Sequence, residues 1–123
     1  MQNIFVSFGI RLKSNQSISV IGERAERVLG CRFTCSEHPD YPDSIILKAE
    51  AFCLRLWISQ GPLQGDPPVQ IYQLNGENVI EPRWNYTQEL DLTPWVLQEF
   101  QKRDSPDWYI PTLDELKKEA NID

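Results

Sequence analysis

The feature that most constrains this chain is a change of hydrophobic period within its first thirty residues. Ile4, Val6, Phe8, Ile10 and Leu12 alternate along the chain, with Phe5 the exception, and that is the period of a strand with one buried face. After the polar break Ser14-Asn15-Gln16-Ser17 the period becomes helical. Ile18, Ile21, Ala25, Val28 and Leu29 fall on one face of a helix predicted over Ser17–Leu29. Ser17 can cap its N-terminus with a side-chain oxygen, and Gly30 sits where a left-handed residue ends a helix. Gly22 is a weak point inside it. A half-buried strand followed directly by an amphipathic helix points to an α+β architecture.

The remaining chain extends that pattern. Cys31–Ser36 reads as a second strand, and Glu37–Asp43, with two prolines, as a loop. Ser44–Ser59 is too long for one typical strand. Its phase shifts near Ala49–Ala51, from Ile45 and Leu47 to Phe52, Leu54, Leu56 and Ile58, so a bulge or a tight hairpin is expected there. Gln60–Pro68 reads as a loop. Val69–Leu74 and Asn78–Ile80 flank Asn75-Gly76, the strongest short hairpin signal in the chain, although Glu77 lengthens the turn. Glu81–Glu89 reads as irregular. Thr93-Pro94 opens a helix to about Arg103, with Thr93 as N-cap, Pro94 at the first helical position, and Trp95, Leu97 and Phe100 as the apolar face. Ser105–Pro111 leads to a final short helix, where Thr112 and Glu115 form a capping box before Leu116. The expectation is one α+β domain over residues 1–123: a mainly antiparallel sheet of about four to six strands, one early helix and two short C-terminal helices.

Composition narrows the functional classes. With 41% hydrophobic and 24% charged residues the chain is an ordinary globular one. Its net charge of −6 is unevenly distributed. Residues 1–62 hold seven basic and six acidic side chains, whereas residues 63–123 hold five basic and twelve acidic ones. That balance argues against nucleic-acid binding and against docking on an anionic membrane, both of which rely on Lys and Arg. The excess negative charge either solvates a face or meets a basic partner. The N-terminal stretch lacks the basic region and cleavage site of a signal peptide, and Ala51–Ile58 is too short to span a bilayer. Three cysteines cannot all pair within one chain, and reduced thiols in a cytoplasm are the simplest expectation.

No catalytic motif is legible. Cys31-x3-Cys35-x2-His38, with Cys53 as a fourth ligand, is the best metal candidate by residue type. In a strand, however, Cys31 and Cys35 would stand about 13 Å apart at ~3.3 Å per residue, too far to share a zinc ion. His38, the only histidine, would have to serve any cysteine nucleophile as base, and no helix N-terminus is placed to activate a thiol. Carboxylate pairs such as Glu89 with Asp91 and Asp104 with Asp107 are too common in an acidic chain to mark a glycosidase. The expectation is a non-enzyme with no cofactor and no metal.

The aromatic residues say more. Trp84, Tyr86, Trp95, Phe100, Trp108 and Tyr109 cluster within residues 84–109, interleaved with carboxylates. Trp and Tyr are enriched at binding hot spots, and acidic neighbours complement a basic partner. Trp95 and Phe100 are assigned to the core. The other four lie in irregular segments and either cap the core or form a contact surface. The partner-binding residues expected are Glu81, Trp84, Tyr86, Glu89 and Asp91, then Asp104, Asp107 and Trp108. Asp40, Tyr41 and Asp43 of the early loop stand in reserve.

In size, charge and α+β pattern the chain resembles the small, acidic immunity proteins that bacteria keep against toxins. The resemblance covers the whole chain and rests on no specific motif, so it carries over no residue role. It implies a stoichiometric protein-binding inhibitor whose partner is a basic toxin domain, such as a nuclease with a basic cleft. The alternative of another class is a non-catalytic adaptor or assembly subunit of a phage or secretion system. A small metal-binding or enzymatic domain on the cysteines is the third reading.

Overall fold

The computed structural model describes residues 3–37, 45–80 and 86–120. Within these, six strands form one sheet: β1 (Ile4–Ser14), β2 (Thr34–Glu37), β3 (Ile45–Ala51), β4 (Leu54–Gln64), β5 (Val69–Asn78) and β6 (Gln88–Asp91). Helix α1 (Ile18–Leu29) follows β1, and α2 (Thr93–Arg103) and α3 (Leu113–Ala120) close the chain. The sheet order is β2-β3-β4-β5-β1-β6, antiparallel throughout except that β6 runs parallel to β1. The fold is therefore the α+β class read from the sequence.

Alternation decides which face is dry. Phe8, Ile10 and Leu12 of β1 stand in register with Gly76, Leu74 and Tyr72 of β5. Leu54, Leu56 and Ile58 of β4 and Leu47 of β3 continue the same face, and Ile21, Ala25, Phe100 and Trp108 pack on it. Helix α1 ends as its sequence requires. Ser17 Oγ accepts from Val20 N, and Gly30 adopts φ 67° while its N–H donates to the Glu26 carbonyl. Gly22 is a close-approach residue: a Cβ there would collide with Leu47 Cδ1, so α1 lies directly against β3.

Three local expectations are corrected, and a fourth is resolved. Asn75-Gly76 is no turn, because β5 runs straight through it. Gly76 is needed for packing: a Cβ would sit 2.7 Å from Leu56 Cδ2 and closer still to the Phe8 ring. Gln60–Pro68 is not wholly a loop, since β4 continues to Gln64 through a register shift between Gln60 and Leu63. That irregularity absorbs Gly61-Pro62 in a strand, where a proline cannot donate to a regular ladder. Gln88 and Glu89, read as irregular, belong with Leu90 and Asp91 to β6. The phase shift at Ala49–Ala51 resolves as a tight hairpin whose turn residues, Phe52 and Cys53, both take positive φ (55° and 63°).

The C-terminal segment crosses the sheet edge. Tyr109 exchanges backbone hydrogen bonds with Arg11 in both directions, each 2.8 Å. Trp108 then faces the core, while the Tyr109 ring lies beneath the Lys13 ammonium, 5.5 Å from its centroid. Arg11, 6% exposed, holds α3 against the sheet face opposite α1 and α2 through a bidentate bond to Glu119, with Oε1 at 2.5 Å and Oε2 at 2.9 Å. This ion pair raises the Arg11 pKa and lowers that of Glu119. The rest of the β1 edge is also occupied. Leu92 N donates to Ser7 O at 2.8 Å and Gly9 N to Thr93 Oγ1 at 3.1 Å. Thr93 is thus a β1 partner and not the N-cap: Leu92 holds that position without a side-chain cap, and the Asp91 carboxylate accepts the Thr93 N–H at 2.9 Å.

Candidate functional site

The sheet face opposite α1 and α2 is covered by α3 only at its Arg11 end. Over the rest, cross-strand registers set two rows of side chains. One runs Glu50, Arg55, Glu77, Ser7, Asp91, and the next Thr34, Lys48, Trp57, Asn75, Gly9. Gly9 leaves a gap in the second row, since a Cβ there would stand only 3.0 Å from Asn75 Oδ1. The result is a recess of about 340 Å³ walled by Phe5 and Trp57, floored by Gly9 and Asn75, and rimmed by Glu77 and Asp91.

Its polar groups are held in place from behind. Arg11 Nε donates to Gln73 Oε1 at 3.0 Å, and Gln73 Nε2 donates to Asn75 Oδ1 at 2.9 Å. The Glu119–Arg11 pair thereby fixes Gln73, whose amide N–H holds the Asn75 amide oxygen. On the rim, Arg55 Nη2 approaches Glu77 Oε1 to 3.9 Å, a contact beyond hydrogen-bond distance. Beside Phe5, the Tyr86 ring packs at 5.3 Å between centroids, and its hydroxyl donates to Glu89 Oε1 at 2.8 Å. The recess therefore offers aromatic walls and carboxylate rims, which suit a cationic side chain. Among the described residues no group of three His, Cys, Asp or Glu could hold a metal ion.

The residues singled out from sequence divide into four sets. Tyr86, Glu89 and Asp91 come together here, on and beside β6, whose four residues are all exposed. Asp104 and Trp108 do not. Trp108 is 1% exposed and belongs to the core, and Asp104 is tied to it and to Arg24. Both are corrected to structural residues. Asp107 lies apart, exposed beside a recess lined by Lys13, Tyr109 and Glu115. Glu81, Trp84, Asp40, Tyr41 and Asp43 fall outside the described residues, as does His38.

Trp95 is corrected in the other direction. It is 60% exposed, because its five-residue spacing from Phe100 rotates it ~140° off that buried side chain at 100° per residue. With Phe52, 75% exposed, it flanks a separate recess bordered by Val28 and Leu29, at whose edge Arg103 pairs with Glu99 at 2.7 Å. Sequence reading passed over Phe5, Trp57, Glu77 and Asn75. The available signal was their phase. Phe5 and Trp57 are the aromatic exceptions in alternating strands, so they must point away from the core. Cys31 is half-buried, with its thiol pKa raised by burial, then by nearby Glu26; Cys35 and Cys53 are exposed.

Compared with protein-family models, with curated protein sequences and with solved structures, the chain matches none. Among the described residues no helix is long and apolar enough to cross a membrane.

Proposed function

We propose that this chain is a protein-binding inhibitor, an immunity protein that neutralises a basic toxin domain by occupying its surface. The observation that carries the reading is the acidic recess between Phe5 and Trp57. A Lys or Arg of the partner entering it would meet the Glu77 and Asp91 carboxylates and lie against an indole face. Tyr86, Glu89 and the exposed β6 edge extend the same surface. Aromatic residues at the centre of a charged rim are the usual anatomy of an interface hot spot. The carboxylate excess of residues 63–123 would also speed encounter with a basic domain.

The test begins with capture of partners by the full chain from cells of its source at moderate salt. Binding of the recovered domain to the pure chain is then measured by stopped flow. A basic toxin domain bound one-to-one, with its activity suppressed, is the expected result. Changing Glu89→Lys together with Asp91→Asn, which keeps an acceptor for the Thr93 N–H, should slow association by about tenfold and flatten its dependence on salt. A partner that associates at the same rate in every salt, with or without these changes, would remove the acidic surface from the proposal. Recovery of a structural assembly alone would favour an adaptor subunit.

A further inference from the structure

The other side of Trp57 carries the opposite charge. A recess of about 550 Å³ opens there, bounded by Arg32, Lys48, Arg55 and Trp57 over a floor that includes Ile46. Lys48 stands directly opposite Trp57 in the β3–β4 register, and Arg55 is opposite Glu50. Arg32 and Lys48 make no ion pair with any described residue, and the nearest carboxylate oxygen paired with Arg55 is the distant Glu77. Counting Glu50 against the three cations, the recess holds a net charge of about +2 on a chain whose total is −6. Surface cations in an acidic protein usually pair with its abundant carboxylates. These converge instead on the flank of a half-buried indole.

We propose that this recess binds a nucleoside monophosphate, with the base stacked on Trp57 and the phosphate held by Arg55, Lys48 and Arg32. Guanidinium groups bind phosphate oxygens in a bidentate fork, and an indole face stacks a nucleobase whatever its sequence. The volume lies in the range of small-ligand sites. The neighbouring geometry sets the ligand's size. Immediately past Trp57 the face becomes acidic, with Glu77 and Asp91, so the phosphates of a longer strand laid across the sheet would meet carboxylates. A single phosphate beside a single ring fits the cationic side alone. The recesses share Trp57, but this proposal does not rest on the inhibitor reading, and its failure would leave that reading where it stands.

The full chain is titrated by calorimetry with AMP, adenosine, inorganic phosphate and a short single-stranded oligonucleotide. AMP should bind saturably, with adenosine and phosphate each at least about tenfold weaker, because each offers only half of the contacts. Lys48→Glu combined with Arg55→Glu, both on exposed side chains, should weaken AMP by about tenfold or more. Trp57→Leu should reduce AMP to the affinity of phosphate. The double charge variant keeps the test valid if the Trp57 variant fails to fold. Absence of saturable AMP binding by the folded chain overturns the site. So does equal binding of phosphate and AMP, or AMP binding unchanged in a charge variant with unaltered thermal unfolding. An oligonucleotide binding more tightly than AMP would overturn the limit to a single nucleotide.

Discussion

The indole N–H of Trp108 donates to Asp104 Oδ2 at 2.7 Å, and the same oxygen receives Arg24 Nη2 at 2.8 Å. One carboxylate thus joins α1, the end of α2 and the segment that crosses the sheet edge. It also satisfies the polar atom of the largest buried side chain among the described residues, which packs edge-on against Phe100 with ring centroids 4.8 Å apart. Burying a Trp requires such a partner for its N–H.

Asp104→Ala should therefore destabilise the chain by about 2–3 kcal/mol, since it leaves a buried N–H and a partly buried guanidinium without their acceptor. Asp104→Asn keeps an oxygen for Trp108 and should cost about half as much. Urea unfolding of both variants checks the order. A loss in Asp104→Ala no larger than that of an exposed substitution would show the network to be unimportant.

Acid should weaken the fold through two carboxylates. Burial alone would raise the Asp104 pKa, but hydrogen bonds from Arg24 and Trp108 outweigh it and hold the value below normal. Glu119 is lowered by its hydrogen bond with Arg11. A carboxylate with a depressed folded pKa stabilises above its unfolded value, and that contribution is lost as pH falls through the folded pKa. Stability should thus be level near neutrality and decline below about pH 4. In Asp104→Asn the decline should be shallower, as read by thermal unfolding across pH.

Gly76→Ala should cost about 2–3 kcal/mol by forcing Phe8 and Leu56 apart. If Asn75-Gly76 were a turn, alanine there would instead act through backbone conformation, and the Phe8→Leu background would offer no relief. Relief of the Gly76→Ala loss by a smaller residue at position 8, measured in a double-mutant cycle, is the expected outcome.

The β3–β4 turn carries two side chains in the left-handed region, where a non-glycine residue is strained by ~1–2 kcal/mol. Replacing Phe52-Cys53 by Asn-Gly, the preferred pair for such a two-residue turn, should raise stability by about 1–2 kcal/mol. It would also remove the most exposed large apolar side chain among the described residues. An unchanged or lower midpoint of thermal unfolding would mean that Phe52 packs usefully where it stands.

Much of the fold was readable because its signals are local. The alternation of Ile4–Leu12, the helical period after Ser17, Gly30 as helix stop and Pro94 as helix start each act within a few residues, and each element formed as expected. The misread positions have a common cause. Asn75-Gly76 carries a strong turn signature, yet Gly76 answers to Phe8 and Leu56, distant in sequence. Gly61-Pro62 looks like a break, but a register shift keeps it in β4. Trp95 reads as part of the buried face of α2 with Phe100, whereas its five-residue spacing from Phe100 turns it outward.

The candidate site divides along the same line. Tyr86, Glu89 and Asp91 were visible as acidic and aromatic neighbours in one segment. Phe5, Trp57, Glu77 and Asn75 come from β1, β4 and β5, and only strand register brings them to one recess. By itself the sequence determined the strand and helix periods, the α+β class and the excess of negative charge. Tertiary structure alone decided that Trp108 is core, that Gly76 is a packing contact, and that Trp57 separates an acidic recess from a basic one. The physical reason is range. Backbone propensity and periodicity act over a few residues, whereas burial and charge juxtaposition depend on which distant strands are paired.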